Sequence, residues 1–194
     1  MDSDTQKEGV FVNHVKLVRL TTSAVFAAVL CLISPVTVPL GPSLVPFALQ
    51  NFAVMFCAVT LDWATAQISV LVYLLLGLFL PIFSDGNTGI TAITGVTGGY
   101  IWSYLLMVPV IRMCRSIPTK KRWSEYLFSM LGCLIGIVVC YSCGTVQYSI
   151  QTNTEISQAL SICVLPFIGF DLLKALVATL LGVQLARVVC TLKD

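Results

Sequence analysis

Apolar residues fill this chain in six long stretches, and polar residues are mostly confined to the gaps between them. The stretches run Leu17–Ser34, Val45–Leu61, Trp63–Leu80, Gly95–Met113, Trp123–Tyr148 and Phe167–Cys190. A helix needs roughly 20 apolar residues to cross a bilayer's hydrocarbon core, so each stretch predicts a transmembrane helix. The second and third meet at Asp62–Trp63, which predicts a very tight turn. The fifth and sixth are long enough to tilt. Alternate gaps are unlike. Three are Pro- or Gly-rich or partly apolar: SPVTVPLGPSLVPF, with Pro35, Pro39, Pro42 and Pro46; LPIFSDGNTGITAITGVTGG; and QTNTEISQALSICVLP, which suits a short helix lying over the bundle. Irregular backbone at membrane depth survives only where protein or a water-filled cavity satisfies it. These three connections are therefore expected to fold over a binding site that opens on their side.

Composition agrees with lipid as the solvent. Of 194 residues, 57% are hydrophobic and 10% charged, and the mean hydropathy is +0.93. A soluble domain carries about 25% charged residues. Charge placement then orients the bundle. Arg112, Arg115, Lys120, Lys121 and Arg122 join the fourth and fifth stretches; Lys7, Lys16 and Arg19 precede or open the first; Arg187 and Lys193 close the sixth. With six spans these regions share one face, the cytoplasmic one by the positive-inside rule, and Lys174 is the exception. The opposite loops hold Asp85 and Glu155 without Lys or Arg. The expected fold is an all-α integral membrane protein with six transmembrane helices and cytoplasmic N and C termini, in a cell membrane. Residues 1–16 are read as a cytoplasmic tail with a disordered start rather than a cleavable signal, and 17–194 as one membrane domain. A net charge of +2 does not suggest nucleic acid.

Few polar groups lie within the apolar stretches. Asp171 and Lys174, in FDLLKALVATLLG, are spaced i, i+3 and share a helix face. They form either an ion pair that locks the last helix or an acceptor and donor for a polar ligand; intramembrane ionisable groups are functional candidates. Asn87, in SDGNTG, suits an Asx turn. Gln50 suits a hydrogen bond across helices, and Tyr73 and Tyr100 suit packing with a partnered hydroxyl. Ala24 and Ala28, four apart beside Ala27, let helix backbones approach closely, either inside the bundle or against another membrane protein.

Cys31, Cys57, Cys114, Cys133, Cys140, Cys143, Cys163 and Cys190 mostly fall mid-stretch, where cysteine is a small apolar residue. Cys140 and Cys143 form a CxxC, but no charge stands near to activate a thiolate. His14 has no ligand cluster around it, so no metal is expected. GxxxxGK[ST], HExxH and GxSxG are all absent, so neither ATP hydrolysis nor an enzyme active site is expected.

Several segments, taken in order, resemble the BioY family, the biotin-binding S components of energy-coupling-factor (ECF) transporters. They are VPFALQNFAV, SVLVYLLLGLFLPIF, DGNTG, GVTGGYIWSY and PFIGFDLLKA. The resemblance implies a six-helix S-component fold, capture of biotin from outside, and partnership with a transmembrane coupling protein and two ATPase subunits in a bacterial cell membrane. ATP would be used by those partners, and no cofactor by this chain. By the same resemblance Asn87, Asp171 and Lys174 are ligand contacts, Tyr100 follows the paired glycines of the family's GGY, and Ala24 and Ala28 dock the coupling protein. Gln50 and Tyr73 join the candidate ligand-binding set. Three positions depart from the family: Val96 replaces the Pro of GPTGGY, Gly169–Phe170 replaces Pro-Gly, and Ile101 stands where some members carry a ligand-contacting basic residue. An S component for another vitamin and a thiol oxidoreductase using Cys140 and Cys143 are the alternatives.

Overall fold

The structure, a computed structural model, describes residues 2–38, 47–118 and 121–191. Pro39, Pro42, Pro46, Lys120 and Lys193 lie outside the described residues. The order of elements is α1 (Asp2–Ile33), β1 (Thr37–Val38), β2 (Phe47–Ala48), α2 (Gln50–Thr60), α3 (Trp63–Gly77), a 3-10 turn (Ser84–Gly86), α4 (Gly89–Thr94), α5 (Gly98–Arg115), α6 (Arg122–Thr152), α7 (Ile156–Cys163) and α8 (Ile168–Thr191). All six apolar stretches contain a helix, and the expected cover helix is α7.

The differences have local causes. The polar opening is helical from Asp2, so α1 continues through the segment expected to start disordered. The fold is mostly helical but not purely so. β1 and β2 pair antiparallel, Thr37 opposite Ala48 and Val38 opposite Phe47. Phe47–Ala48 of the second stretch is therefore strand, and its helix starts at Gln50; Val45 lies outside the described residues. Gly95–Thr97 separates α4 from α5, so the fourth helix starts at Gly98 rather than Gly95. Asp62 makes the α2–α3 turn as tight as expected: its side chain accepts from the Thr65 backbone N–H at 3.3 Å and so caps α3. Asn153 ends α6 in the left-handed conformation, φ 52°, which Asn tolerates better than most residues.

α2 is the hub. At 1.5 Å per residue its 11 residues span only about 16 Å, but nine of them are buried. It is sheathed by protein and need not match the bilayer. It packs against α8, α5, α1 and α3, while α6 packs on α5 and α8. The α5–α6 seam is close because Gly99 has no side chain: a Cβ there would lie 2.5 Å from the Cys143 carbonyl oxygen and 2.9 Å from the Gly144 Cα. The outer surface is apolar, with Leu71, Leu75, Phe79, Leu173 and Leu181 exposed, as expected of a lipid-facing bundle. Among the described residues three helical segments are long and apolar enough to cross a membrane: Val15–Ile33, Arg122–Thr152 and Ile168–Val189.

Candidate functional site: a cleft beneath the hairpin

The starts of α2, α5 and α8 and the middle of α6 surround a cleft at the hairpin end of the bundle. Its lining includes Gln50, Asn51, Tyr100, Tyr141, Asp171 and Lys174, with Ala48, Ser84, Ile101, Tyr104, Cys140 and Phe167. The cleft is narrow, ≈ 50 Å³ for the centre of a water molecule, within ≈ 520 Å³ of empty space that reaches its open mouth.

Asp171 lies in the first turn of α8, where the helix dipole favours a carboxylate. Lys174 follows one turn later, so their side chains meet: Lys174 Nζ donates to Asp171 Oδ1 at 2.8 Å, with only 9% and 7% of the two side chains exposed. The other carboxylate oxygen accepts from Tyr141 Oη at 2.6 Å and from Asn51 Nδ2 at 3.3 Å. A carboxylate offers about four acceptor sites, and three are used. Lys174 Nζ also donates to the Ala48 carbonyl at 2.7 Å and sits 3.8 Å from the centroid of the Phe47 ring, a cation–π contact. Phe47 in turn meets Phe170 edge-on at 5.1 Å. The charged pair is thus tied to β2, whose Ala48 lines the cleft.

Two lining residues carry buried atoms without a hydrogen-bond partner among the described residues, Asn51 Oδ1 and Tyr100 Oη. Leaving a buried polar atom unpaired costs about 1–3 kcal/mol, and such atoms call for a functional explanation. The Tyr100 ring is positioned by Gly144, where a Cβ would come 2.2 Å from the ring. Ile101 is 1% exposed and adds a hydrocarbon side chain to the cleft lining.

The structure brings together Asp171, Lys174, Tyr100 and Gln50. Tyr73 stands behind the wall: it is fully buried, and its hydroxyl bonds with Ser34 Oγ and Gln50 Nε2, each at 2.5 Å. Gln50 Oε1 accepts from Ser84 Oγ at 2.9 Å, so Tyr73 fixes Gln50 rather than lining the cleft. Asn87 is exposed and its Nδ2 donates to the Ser84 carbonyl at 2.9 Å; it holds the 3-10 turn that carries Ser84. Ala24 and Ala28 lie on an exposed face of α1, while Ala27 and Ser23 face inward. Cys140 is buried and accepts from Ser103 Oγ at 3.2 Å, a packing role. Asn51 and Tyr141 were not anticipated from the sequence. The one available signal was that Gln50–Asn51 is an adjacent amide pair opening an apolar stretch.

Comparison with known proteins agrees with this architecture. The sequence profile of the BioY family matches residues 5–191. The chain is 31% identical over 175 residues to the biotin transporter BioY2 of Lactococcus lactis subsp. cremoris (strain MG1363), covering 90% of this chain and 93% of that one. It is also 31% identical over 170 residues to the biotin transporter BioY of Thermotoga maritima (strain ATCC 43589 / DSM 3109 / JCM 10099 / NBRC 100826 / MSB8), covering 87% and 96%. Among solved structures, the crystal structure of an S-component for biotin from an ECF-type ABC transporter superposes with a TM-score of 0.79 at 27% identity, over 90% of this chain and 94% of the other. On its sequence and on its helical architecture, this chain belongs to the BioY family.

Proposed function

We propose that this protein captures biotin in the cleft between α2, α5, α6 and α8 and serves as the substrate-binding S component of an ECF-type transporter. The observation that carries this reading is the set of unsatisfied polar groups in an otherwise apolar cleft. Asp171 keeps about one acceptor site, Asn51 Oδ1 is an unpaired acceptor, and Tyr100 Oη is unpaired. Biotin's ureido group offers two N–H donors and a carbonyl, which complement two acceptors and one donor. Its thioether ring and alkyl chain suit Ile101, Tyr104 and Phe167, the usual division of labour in a ligand pocket. Lys174, which donates to the Ala48 carbonyl at 2.7 Å, exchanges that bond for one to the ligand and so joins the contacts. Asn87 joins the set as a proposed contact by its family position, one hydrogen bond from the lining residue Ser84.

The protein performs no catalytic step of its own. In this reading α1, α2, α3, α5, α6 and α8 are six spans with both termini cytoplasmic, and the cleft faces outward in a bacterial cell membrane. ATP is hydrolysed by two partner ATPases, and a transmembrane coupling protein transmits the work to this subunit. The exposed Ala24–Ala28 face of α1 is the proposed docking surface. Replacing Ala24 by Trp is expected to leave biotin binding intact and to abolish assembly with the coupling protein, read by co-purification; loss of both activities would mean misfolding. The test of the function itself is equilibrium binding of labelled biotin to the purified protein, with thiamine and riboflavin as competitors. Saturable binding displaced only by unlabelled biotin is expected. Displacement by another vitamin instead would move the protein to a different substrate on the same fold.

A further inference from the structure

A second cleft lies at the other end of the bundle. Along α8, the distance from Lys174 to Arg187 is about 20 Å at 1.5 Å per residue. Four arginines from three helices meet there around ≈ 400 Å³ of space: Arg19 of α1, Arg112 and Arg115 of α5, and Arg187 of α8. Thr60, at the end of α2, and Asp62 complete the charged and polar lining. Asp62 directs both carboxylate oxygens to the Thr65 hydroxyl, at 2.9 and 3.0 Å. Arg187 meets Glu125 at 3.4 Å and Arg115 donates to Ser129 Oγ at 2.9 Å. Four positive groups therefore face two negative ones. Basic residues at helix ends are expected from membrane topology alone, but topology does not require them to line a concavity. Nor does it explain two buried polar atoms there without a hydrogen-bond partner among the described residues, Arg112 Nε and Thr60 Oγ1; Thr60 is 4% exposed.

We propose that this cleft binds the phosphate headgroup of an anionic phospholipid. Guanidinium groups match phosphate oxygens in a fork of two hydrogen bonds. Arg112 Nε and the Thr60 hydroxyl supply donors that protein groups leave unused. The level is right for a headgroup: Arg19 falls within the apolar segment Val15–Ile33 close to its start, and Arg187 within Ile168–Val189 close to its end. Basic pockets between helices on the cytoplasmic side are a recurrent mode of lipid headgroup binding. An acyl chain held beside α1 and α8 would place the lipid against exposed Leu17, Leu20 and Val188.

The experiment measures thermal unfolding of the full chain in neutral detergent with added phosphatidylglycerol, phosphatidylcholine or inorganic phosphate, and titrates each lipid. Phosphatidylglycerol is expected to raise the melting temperature saturably, and phosphatidylcholine is not. Arg19→Gln, at an exposed position, and Arg112→Gln are each expected to weaken the phosphatidylglycerol effect about fivefold. Arg122→Gln, outside the cleft, is expected to leave it unchanged. Arg19→Gln tests the proposal even where Arg112→Gln fails to fold. An equal response to phosphatidylcholine, or a full response in both cleft variants, overturns the proposal. An equal response to inorganic phosphate assigns the cleft to the free ion and overturns its assignment to lipid.

Discussion

Helix α8 carries an ion pair near each end, and the two could hardly differ more. At its start, Asp171 and Lys174 approach to 2.8 Å with side chains 7% and 9% exposed. Near its finish, Arg187 reaches Glu125 of α6 at 3.4 Å with side chains about 40% exposed. The exposed pair behaves as surface pairs do: solvent and salt screen it, and its contribution is about 0–1 kcal/mol. Burying the other pair costs several kcal/mol per ion before any attraction is counted. That cost is offset by saturating the charges. Tyr141 and Asn51 donate to the carboxylate, and Ala48 and Phe47 receive the ammonium. Hydrophobic residues of similar volume would hold α8 in place at least as well. The buried pair is therefore weak evidence for stability, which leaves room for the proposed role in ligand recognition.

Lys174→Met tests this contrast most severely. It keeps the apolar stem but strips Asp171 of its cation and frees Ala48. A loss of stability of about 3–5 kcal/mol is expected from an orphaned buried charge, together with a ten- to hundredfold loss of biotin affinity, since hydrogen bonds to charged groups contribute about 1.5–3 kcal/mol. Denaturation and binding measured on one preparation would separate the two. Tyr141→Phe removes a single hydroxyl from the network. Biotin affinity should fall about tenfold with only a small change in melting temperature; an unchanged affinity would remove Tyr141 from the site. Glu125→Gln breaks the exposed pair alone. Its expected effect is within about 1 kcal/mol on stability and nil on biotin affinity, and a larger shift would erase the distinction between the two ends of α8.

Much of the bundle was legible in the sequence because lipid imposes a simple rule: long apolar runs become helices. The Asp171–Lys174 pair was legible because i, i+3 spacing is local and Lys174 is the basic residue set apart from the others. The hairpin was not, because each strand has only two residues, Thr37–Val38 and Phe47–Ala48, too few to show an alternating pattern. Tyr141 was hidden for a different reason. In VVCYSCG it has no charged neighbour along its own helix, and its role comes from the packing of α6 on α8. Asn87 and Tyr73 show the converse limit. Residue type marks both as polar groups needing partners, but position gives Tyr73 to Ser34 and Gln50 behind the wall and Asn87 to the Ser84 turn.

The central claim is that the buried pair recognises biotin. It is tested most directly by measuring biotin affinity and melting temperature on the same detergent-purified samples of the wild type and Asp171→Asn. That substitution keeps the shape of the side chain while removing its charge and one acceptor. The expected result is a ten- to hundredfold weaker affinity, at about 1.4 kcal/mol per decade, in protein that still unfolds cooperatively. An unchanged affinity accompanied by a lowered melting temperature would show that the pair merely holds α8 in place, and would contradict the assignment of the site.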